Sequence, residues 1–398
     1  MAVATPPQQH ARIPFYRDTR IIAIILQVVF TLVVVGGIWF LYTNMIEGLR
    51  KANLLPSLSF LSQPTGFAIS ESVIPYSTES SYGQAFLVGI INTLRIAITG
   101  VILATLLGTV VGIFRMSSNW LLRNLATTYV EIVRNIPLLL QLIFWFLLTK
   151  EFPRVQDSIN LGGLLYLHNR GVTMAWPREG DDFSSWVPWL WVGLAAGIIF
   201  YIVRRVQFAR RDRPGVAAPQ AFLISGGVVL LGLVVVRLTG GQWPLFLEIP
   251  QLNRFNFVGG STITPSFAAL LIGLVVYTAT YISEIVRSGI QAVSRGQREA
   301  ARALGLTNGQ ALRLVIFPQA LRIMIPPLTS QYLNLTKNSS LAVVIAYPDL
   351  FYVGNTINNQ TGQAVPVILM LMLSYLSLSL ITSLMMNWYN KKIQLVER

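Results

Sequence analysis

The stretch Glu299-Ala300-Ala301-Arg302-Ala303-Leu304-Gly305 is polar, basic and closes on a glycine. Ala, Leu, Glu and Arg favour helix, and glycine after the last helical residue stops it. The reading is a short surface helix with a small-residue face and a sharp turn behind it. Small side chains let the groove of another protein approach the backbone, with Arg295, Arg298 and Arg302 supplying charged contacts at the rim. An amphipathic connector held at lipid headgroups by its arginines has the same composition. Both flanks are apolar, Ile263 to Val286 before the stretch and Leu314 to Leu335 after it. A helix crosses a bilayer core with about 20 apolar residues, so the polar helix joins two membrane spans.

Similar runs occur at Ile21 to Tyr42, Phe86 to Phe114, Val130 to Leu148, Val187 to Val203, Ala221 to Leu238 and Val365 to Trp388, which makes eight expected spans. The expected fold class is therefore an all-α, polytopic membrane protein. The run from Leu314 contains Pro318, Pro326 and Pro327. Prolines in a span are tolerated where neighbours or water satisfy the freed carbonyls, so this run reads equally as a discontinuous helix lining a cavity or as a failed span. The run from Val187 is the other open case, because it is short. Composition agrees: of 398 residues, 53% are hydrophobic and only 12% charged, against roughly 25% charged in soluble domains. The net charge of +14 would suggest nucleic acid in a soluble protein. Here the basic residues gather at span ends, which points to membrane orientation and excludes nucleic acid as a partner. With no cysteine, and His10 and His168 the only histidines, disulfides, thiol chemistry and His/Cys metal centres are excluded.

Orientation follows from Arg12, Arg17 and Arg20, Arg115 and Arg123, Arg204, Arg205, Arg210, Arg211 and Arg213, Arg287 to Arg313, and Lys391, Lys392 and Arg398. These segments alternate with the spans, so all can face the cytoplasm together, with both termini inside. The first span is too long for a typical signal-peptide core and reads as a retained anchor. The expected organisation is an N-terminal tail, span and outer loop over 1–84, a transmembrane domain over 85–392 and a tail over 393–398. Within the second unit, 151–262 carries two of the expected spans. Seven tryptophans near span ends, Trp39, Trp145, Trp186, Trp189, Trp191, Trp243 and Trp388, read as interface anchors.

No phosphate-binding loop exists: none of the five lysines follows a glycine. Protease and hydrolase motifs are absent too, so no catalytic residue and no bound cofactor or metal is expected. Active transport would draw on an ion gradient or on a partner protein.

Glu299-Ala300-Ala301, then Gly305, then Val315-Ile316-Phe317-Pro318 resembles the EAA signature of ABC importer permeases. Asn92-Thr93-Leu94, Tyr129 to Leu138 and Gln331 to Leu341 are similar to the permeases of the polar amino acid (histidine and general L-amino acid) transport family. The resemblance covers roughly 85–114, 120–150 and 263–392; against the minimal five-span pattern of that family, the N-terminal span is additional and 151–262 is an insert with two extra spans. It implies a type I importer core of the MetI-like kind in a bacterial inner membrane. Arg295, Gly296, Glu299, Ala300, Ala301 and Gly305 would then engage an ATPase. The implied partners are an ABC ATPase dimer using ATP and Mg, a second homologous permease, a periplasmic amino-acid-binding protein, an amino acid substrate and membrane lipid. An ion-coupled secondary transporter acting alone is the alternative reading; it predicts inverted repeats, and none is found.

Charges inside spans are expensive and mark cavities or pairs. The candidates are Arg95, Glu131, Arg134, Glu284, Arg322 and Lys337. Tyr277, Thr280, Tyr281 and Glu284 share one helix face. A zwitterionic solute needs one group for its ammonium and another for its carboxylate. Glu131, Arg134, Thr280, Tyr281, Glu284, Asn334, Asn338 and Ser339 are the expected path residues. A second role is open to the carboxylates: Glu131 with Arg134, and Glu284 with Arg287, can neutralise each other at i, i+3.

Overall fold

The computed structural model describes residues 19–51, 56–209, 217–239 and 242–393. Arg12, Arg17, Arg210, Arg211, Arg213 and Arg398 lie outside the described residues, and so do the tails 1–18 and 394–398. The helices are α1 (Thr19–Lys51), α2 (Tyr82–Phe114), α3 (Trp120–Asn135), α4 (Leu138–Lys150), α5 (Phe183–Ala209), α6 (Ala217–Leu238), α7 (Pro265–Gln291), α8 (Arg295–Ala303), α9 (Asn308–Ala311), α10 (Phe317–Asn338), α11 (Leu350–Thr361) and α12 (Ala364–Ile393). Seven described segments are long and apolar enough to cross a membrane, and an eighth exists if the bent pair α3–α4 counts as one.

That pair departs from the straight span expected over Val130 to Leu148. The two halves meet at 104°. Pro137 has no N–H and pushes the residue before it out of helical geometry, and Ile136 is extended at φ −97°, ψ 126°. The Gln141 amide donates to the freed carbonyls of Val133 and Ile136, at 2.9 Å each. In the run from Leu314 the prolines do not break the helix. A π-helical turn at Leu312–Ile316 absorbs the missing N–H of Pro318, and α10 runs through Pro326 and Pro327. The discontinuity comes later, where a 3₁₀ turn occupies Ser339–Ile345.

The core is built around α7, which packs on α2, α3, α4 and α10. Its start combines a Thr264 cap, whose side chain accepts from Phe267 N–H, with Pro265 in the first turn. Lipid tails are as apolar as leucine, so helices associate in a membrane by close packing of small residues. Gly100, Ala104, Gly108 and Gly112 repeat every fourth position along the α2 face that meets Leu335 and α7. By contrast, among the described residues of α1 none is buried. Helices α5 and α6 pack mainly on each other; the Trp186 indole N–H donates to Val229 O at 3.0 Å, and Trp189 lies against Gly232. These two tryptophans therefore join helices rather than anchor an interface.

Sequence periodicity missed α11, a short amphipathic helix. It packs on α2 and α12 and is tied down by buried polar groups. Asn92 Nδ2 donates to Glu71 O and Pro348 O, and Thr93 Oγ1 accepts from Leu350 N–H at 3.0 Å. Glu71 pairs with Arg95 at 3.2 Å, which clamps the 56–81 loop to the bundle. Asp349 is wholly buried; it caps α11 by accepting from Tyr352 N–H and also accepts from the Tyr375 hydroxyl.

Burial pushes the Asp349 carboxyl up to about 6, against the hydrogen bonds from Tyr352 and Phe351. The folded value lies above the unfolded one, so the unfolded chain releases its proton first. The contribution of Asp349 to stability is fullest below about pH 4 and is lost as pH rises through about 6. Asp349→Asn preserves the cap and is expected to flatten that slope in thermal melts. An unchanged slope would remove Asp349 as its source.

The mainly helical fold carries β structure between α4 and α7, in the 151–262 stretch expected as an insert and running on to Ile263. Strands β1 (Ile159–Leu161), β2 (Leu165–His168), β3 (Gly171–Met174) and β8 (Ser261–Ile263) form one antiparallel sheet in that order. Strand β4 (Trp176–Glu179) pairs with β5 (Leu245–Glu248), and β6 (Gln251–Asn253) with β7 (Asn256–Val258). Short strands joined by turns have none of the sustained hydropathy that reveals a span, which is why the sequence shows only loops here.

Candidate functional site

Helices α7 and α10 enclose a polar cavity of about 250 Å³. Tyr277, Thr278 and Tyr281 line it from α7, and Gln331, Asn334 and Asn338 from α10. The three amides fall at i, i+3 and i+7, one face of a helix. The two phenols, four residues apart, hydrogen-bond each other at 2.9 Å. The bend at Pro137 leaves Arg134 at the last turn of α3, where its guanidinium stacks over the Tyr281 ring at 4.7 Å. Tyr129 donates to Val276 O at 2.6 Å and ties the same helix to α7. A solute entering here meets amides, phenols and one cation, a set that can receive a carboxylate at Arg134 and an ammonium at ring faces or amide oxygens.

Of the expected path residues, the structure brings together Arg134, Tyr281, Asn334 and Asn338. Thr280 is turned into the core and donates to Tyr277 O, and Ser339 is buried and donates to Thr336 O. Glu284 is held by Arg115 at 2.6 Å and Arg287 at 2.5 Å, so its charge is neutralised away from the cavity. Glu131 is exposed and, among the described residues, makes no ion pair with Arg134. Gln331 was missed, although its i−3 spacing from Asn334 could have found it.

At the other end of α7 stands the polar helix α8. Its stop is a Schellman turn: Leu306 N–H donates to Ala301 O at 3.1 Å and Gly305 N–H to Arg302 O at 2.9 Å, with Gly305 at φ +76°. Ala301 is buried beneath the helix, whereas Arg295, Gly296, Glu299, Ala300 and Gly305 are exposed. Leu304 is 80% exposed beside them. Two contacts fasten α8 to the cavity helices. Arg298 Nη2 donates to Ile290 O of α7 at 2.6 Å, and Gln319 Nε2 of α10 donates to Gln297 Oε1 at 3.2 Å. A load on α8 therefore reaches both cavity walls.

The family described as "Binding-protein-dependent transport system inner membrane component" matches residues 100–212 and 221–395. The chain belongs to this family. As a member it is a multi-pass membrane permease subunit and not an enzyme. The permease is 42% identical to the General L-amino acid transport system permease protein AapQ of Rhizobium johnstonii, over 96% of this chain and 94% of that one. It is 40% identical to the Putative amino-acid ABC transporter permease protein YhdX of Escherichia coli, over 94% of each. With the Glutamate/glutamine/aspartate/asparagine transport system permease protein BztB of Rhodobacter capsulatus it shares 38% identity over the full length of both. The family leaves the lone secondary transporter without support.

Proposed function

We propose that this permease carries amino acids through an ATP-driven ABC importer, with the α7–α10 cavity on the solute path. Of a pair of ATPase subunits, which bind the ATP and Mg, one docks on Glu299, Ala300 and the exposed Leu304 on the cytoplasmic face, and the other on the second permease. A second homologous permease closes the far side of the path, and a binding protein delivers solute at the insert's face. Both termini lie in the cytoplasm, in keeping with the basic span ends.

One observation carries this reading: α8 is hydrogen-bonded to both helices that line the cavity. ATP-driven approach of the ATPases pushes on α8, and α7 and α10 move as rigid bodies so that the cavity opens to alternate sides. Arg134 takes the solute carboxylate, and Asn334, Asn338 and Tyr281 take the rest.

Reconstitution with the ATPase, the second permease and the binding protein tests this. Uptake is expected to need ATP, and Arg134→Gln to weaken it roughly tenfold or more through loss of a charge-assisted bond. Uptake by this chain alone on an ion gradient would overturn the reading. Wild-type uptake by Arg134→Gln would remove Arg134 from the path.

A further inference from the structure

The β-structured parts of the insert, 151–182 and 242–263, carry four arginines. Arg178 is paired with Glu248 at 2.8 Å. The other three gather at one corner. Arg154 precedes the 3₁₀ turn Val155–Asp157, Arg170 sits in the β2–β3 turn and Arg254 in the β6–β7 turn. Backbone contacts hold the corner together. Asn169 N–H donates to Pro153 O at 2.8 Å, Arg170 Nη1 to Phe255 O at 3.3 Å and Gln156 Nε2 to Arg254 O at 3.3 Å. Between them lies an open polar cavity of about 260 Å³ lined by Arg154, Gln156, Asn169, Arg170 and Phe255. Among the described residues none of the three guanidiniums is paired with a carboxylate, and Asp157, close in sequence, forms no ion pair.

The corner lies close to the ends of two helices, α4 and α7. Gly171, next to Arg170, lies so close to α7 that an added Cβ would meet Ile263 O at 2.0 Å and Thr264 Cα at 3.2 Å; Thr264 is the α7 cap. Its φ of +125° also excludes a side chain there. Arg154 stands four residues past Lys150, the end of α4, a reach of about 14 Å at most. Phe255 is 65% exposed at the same corner, with Arg254 over its ring at 6.0 Å. An exposed aromatic beside arginines at span ends suits the boundary between headgroups and acyl chains.

We propose that this corner holds the phosphodiester headgroup of an anionic phospholipid, in the leaflet on the insert's side. The guanidinium fork matches phosphate oxygens in pairs. Gln156 and Asn169 supply amide donors for the remaining oxygens, and Phe255 rests against the first carbons of the lipid. The insert is thereby pinned to the bilayer surface whichever solute the permease moves.

The test is native mass spectrometry of the full-length permease in detergent, titrated in turn with phosphatidylglycerol, phosphatidylcholine and inorganic phosphate. Phosphatidylglycerol is expected to bind in preference to phosphatidylcholine and not to be displaced by millimolar phosphate. The double variant Arg154→Gln/Arg170→Gln is expected to bind it about 20-fold more weakly, from the loss of two surface cations. Arg178→Gln, whose partner is Glu248, is expected to bind as wild type. A thermal melt shows whether the double variant is folded; if it is not, Arg254→Gln, on a turn tip, replaces it and is expected to weaken binding about fivefold. Equal binding of the two lipids, undiminished binding by a folded arginine variant, or occupancy by phosphate in place of lipid would overturn the proposal. So would retention of an acidic protein at this corner with lipid excluded.

Discussion

Gly305→Pro is expected to abolish ATP-driven uptake while leaving membrane insertion intact. Gly305 holds φ at +76° and donates its N–H to Arg302 O. Proline fixes φ near −65° and has no N–H, so both requirements fail together and the Schellman turn cannot form. Exposed Leu304 and the start of α9 at Asn308 are then re-aimed relative to α8. An ATPase groove that grips α8 loses its register with the ties to Ile290 and Gln319. Uptake in proteoliposomes is expected to fall roughly a hundredfold, the effect of a misplacement of about 1 Å in a positioned contact. ATP hydrolysis by the partner should persist without responding to the binding protein. Gly305→Ala keeps the N–H and meets a penalty of only about 1–2 kcal/mol for the left-handed conformation, so it should retain partial uptake. Full uptake by the proline variant would mean that α8 does not transmit the load.

Gly108→Leu is expected to prevent a stable bundle. Even one added carbon would lie 2.6 Å from Ile282 Cβ and 2.9 Å from Ala279 O on α7. Overpacking a filled interface costs about 1–3 kcal/mol where neighbours can give. Here one of the neighbours is a helix backbone, so about 3 kcal/mol or more is expected. In size-exclusion profiles and thermal melts in detergent the variant should aggregate or melt far earlier than wild type. Gly36→Leu on α1 is the control, since nothing lies within 4 Å of its added carbon. Equal behaviour of the two variants would mean that α2 and α7 are not held by this close approach.

The spans were legible because hydropathy is a local property. Each stretch of apolar residues announces itself whatever it packs against, and the run Leu314 to Leu335, inside the span Asn308–Ile345, was visible despite its prolines. The helix-and-stop pattern ending at Gly305 was legible for the same reason. The bend at Pro137 was not, because a proline in a span can kink, break or pass unnoticed. Nearby, Pro326 and Pro327 leave α10 continuous. What differs is the company: Gln141 is placed to take the carbonyls that the break leaves unpaired.

The path residues divide along the same line. Sequence placed Tyr281, Asn334 and Asn338 on helix faces, and the fold turned those faces toward one cavity. It also placed Glu284 on the Tyr281 face, yet Arg115, 169 positions away along the chain, neutralises it. Asn92 and Thr93, singled out in the sequence for their likeness to amino acid permeases, fasten α11 in the fold.

By itself, then, the order of residues determined the class of molecule, the approximate span borders and the polar lever between two of them, since all three depend on neighbours within a few turns. Only the tertiary structure decided which polar groups meet. A hydrogen bond or ion pair acts over about 3 Å, and residues far apart in the chain reach that range only after α2, α7 and α10 have packed.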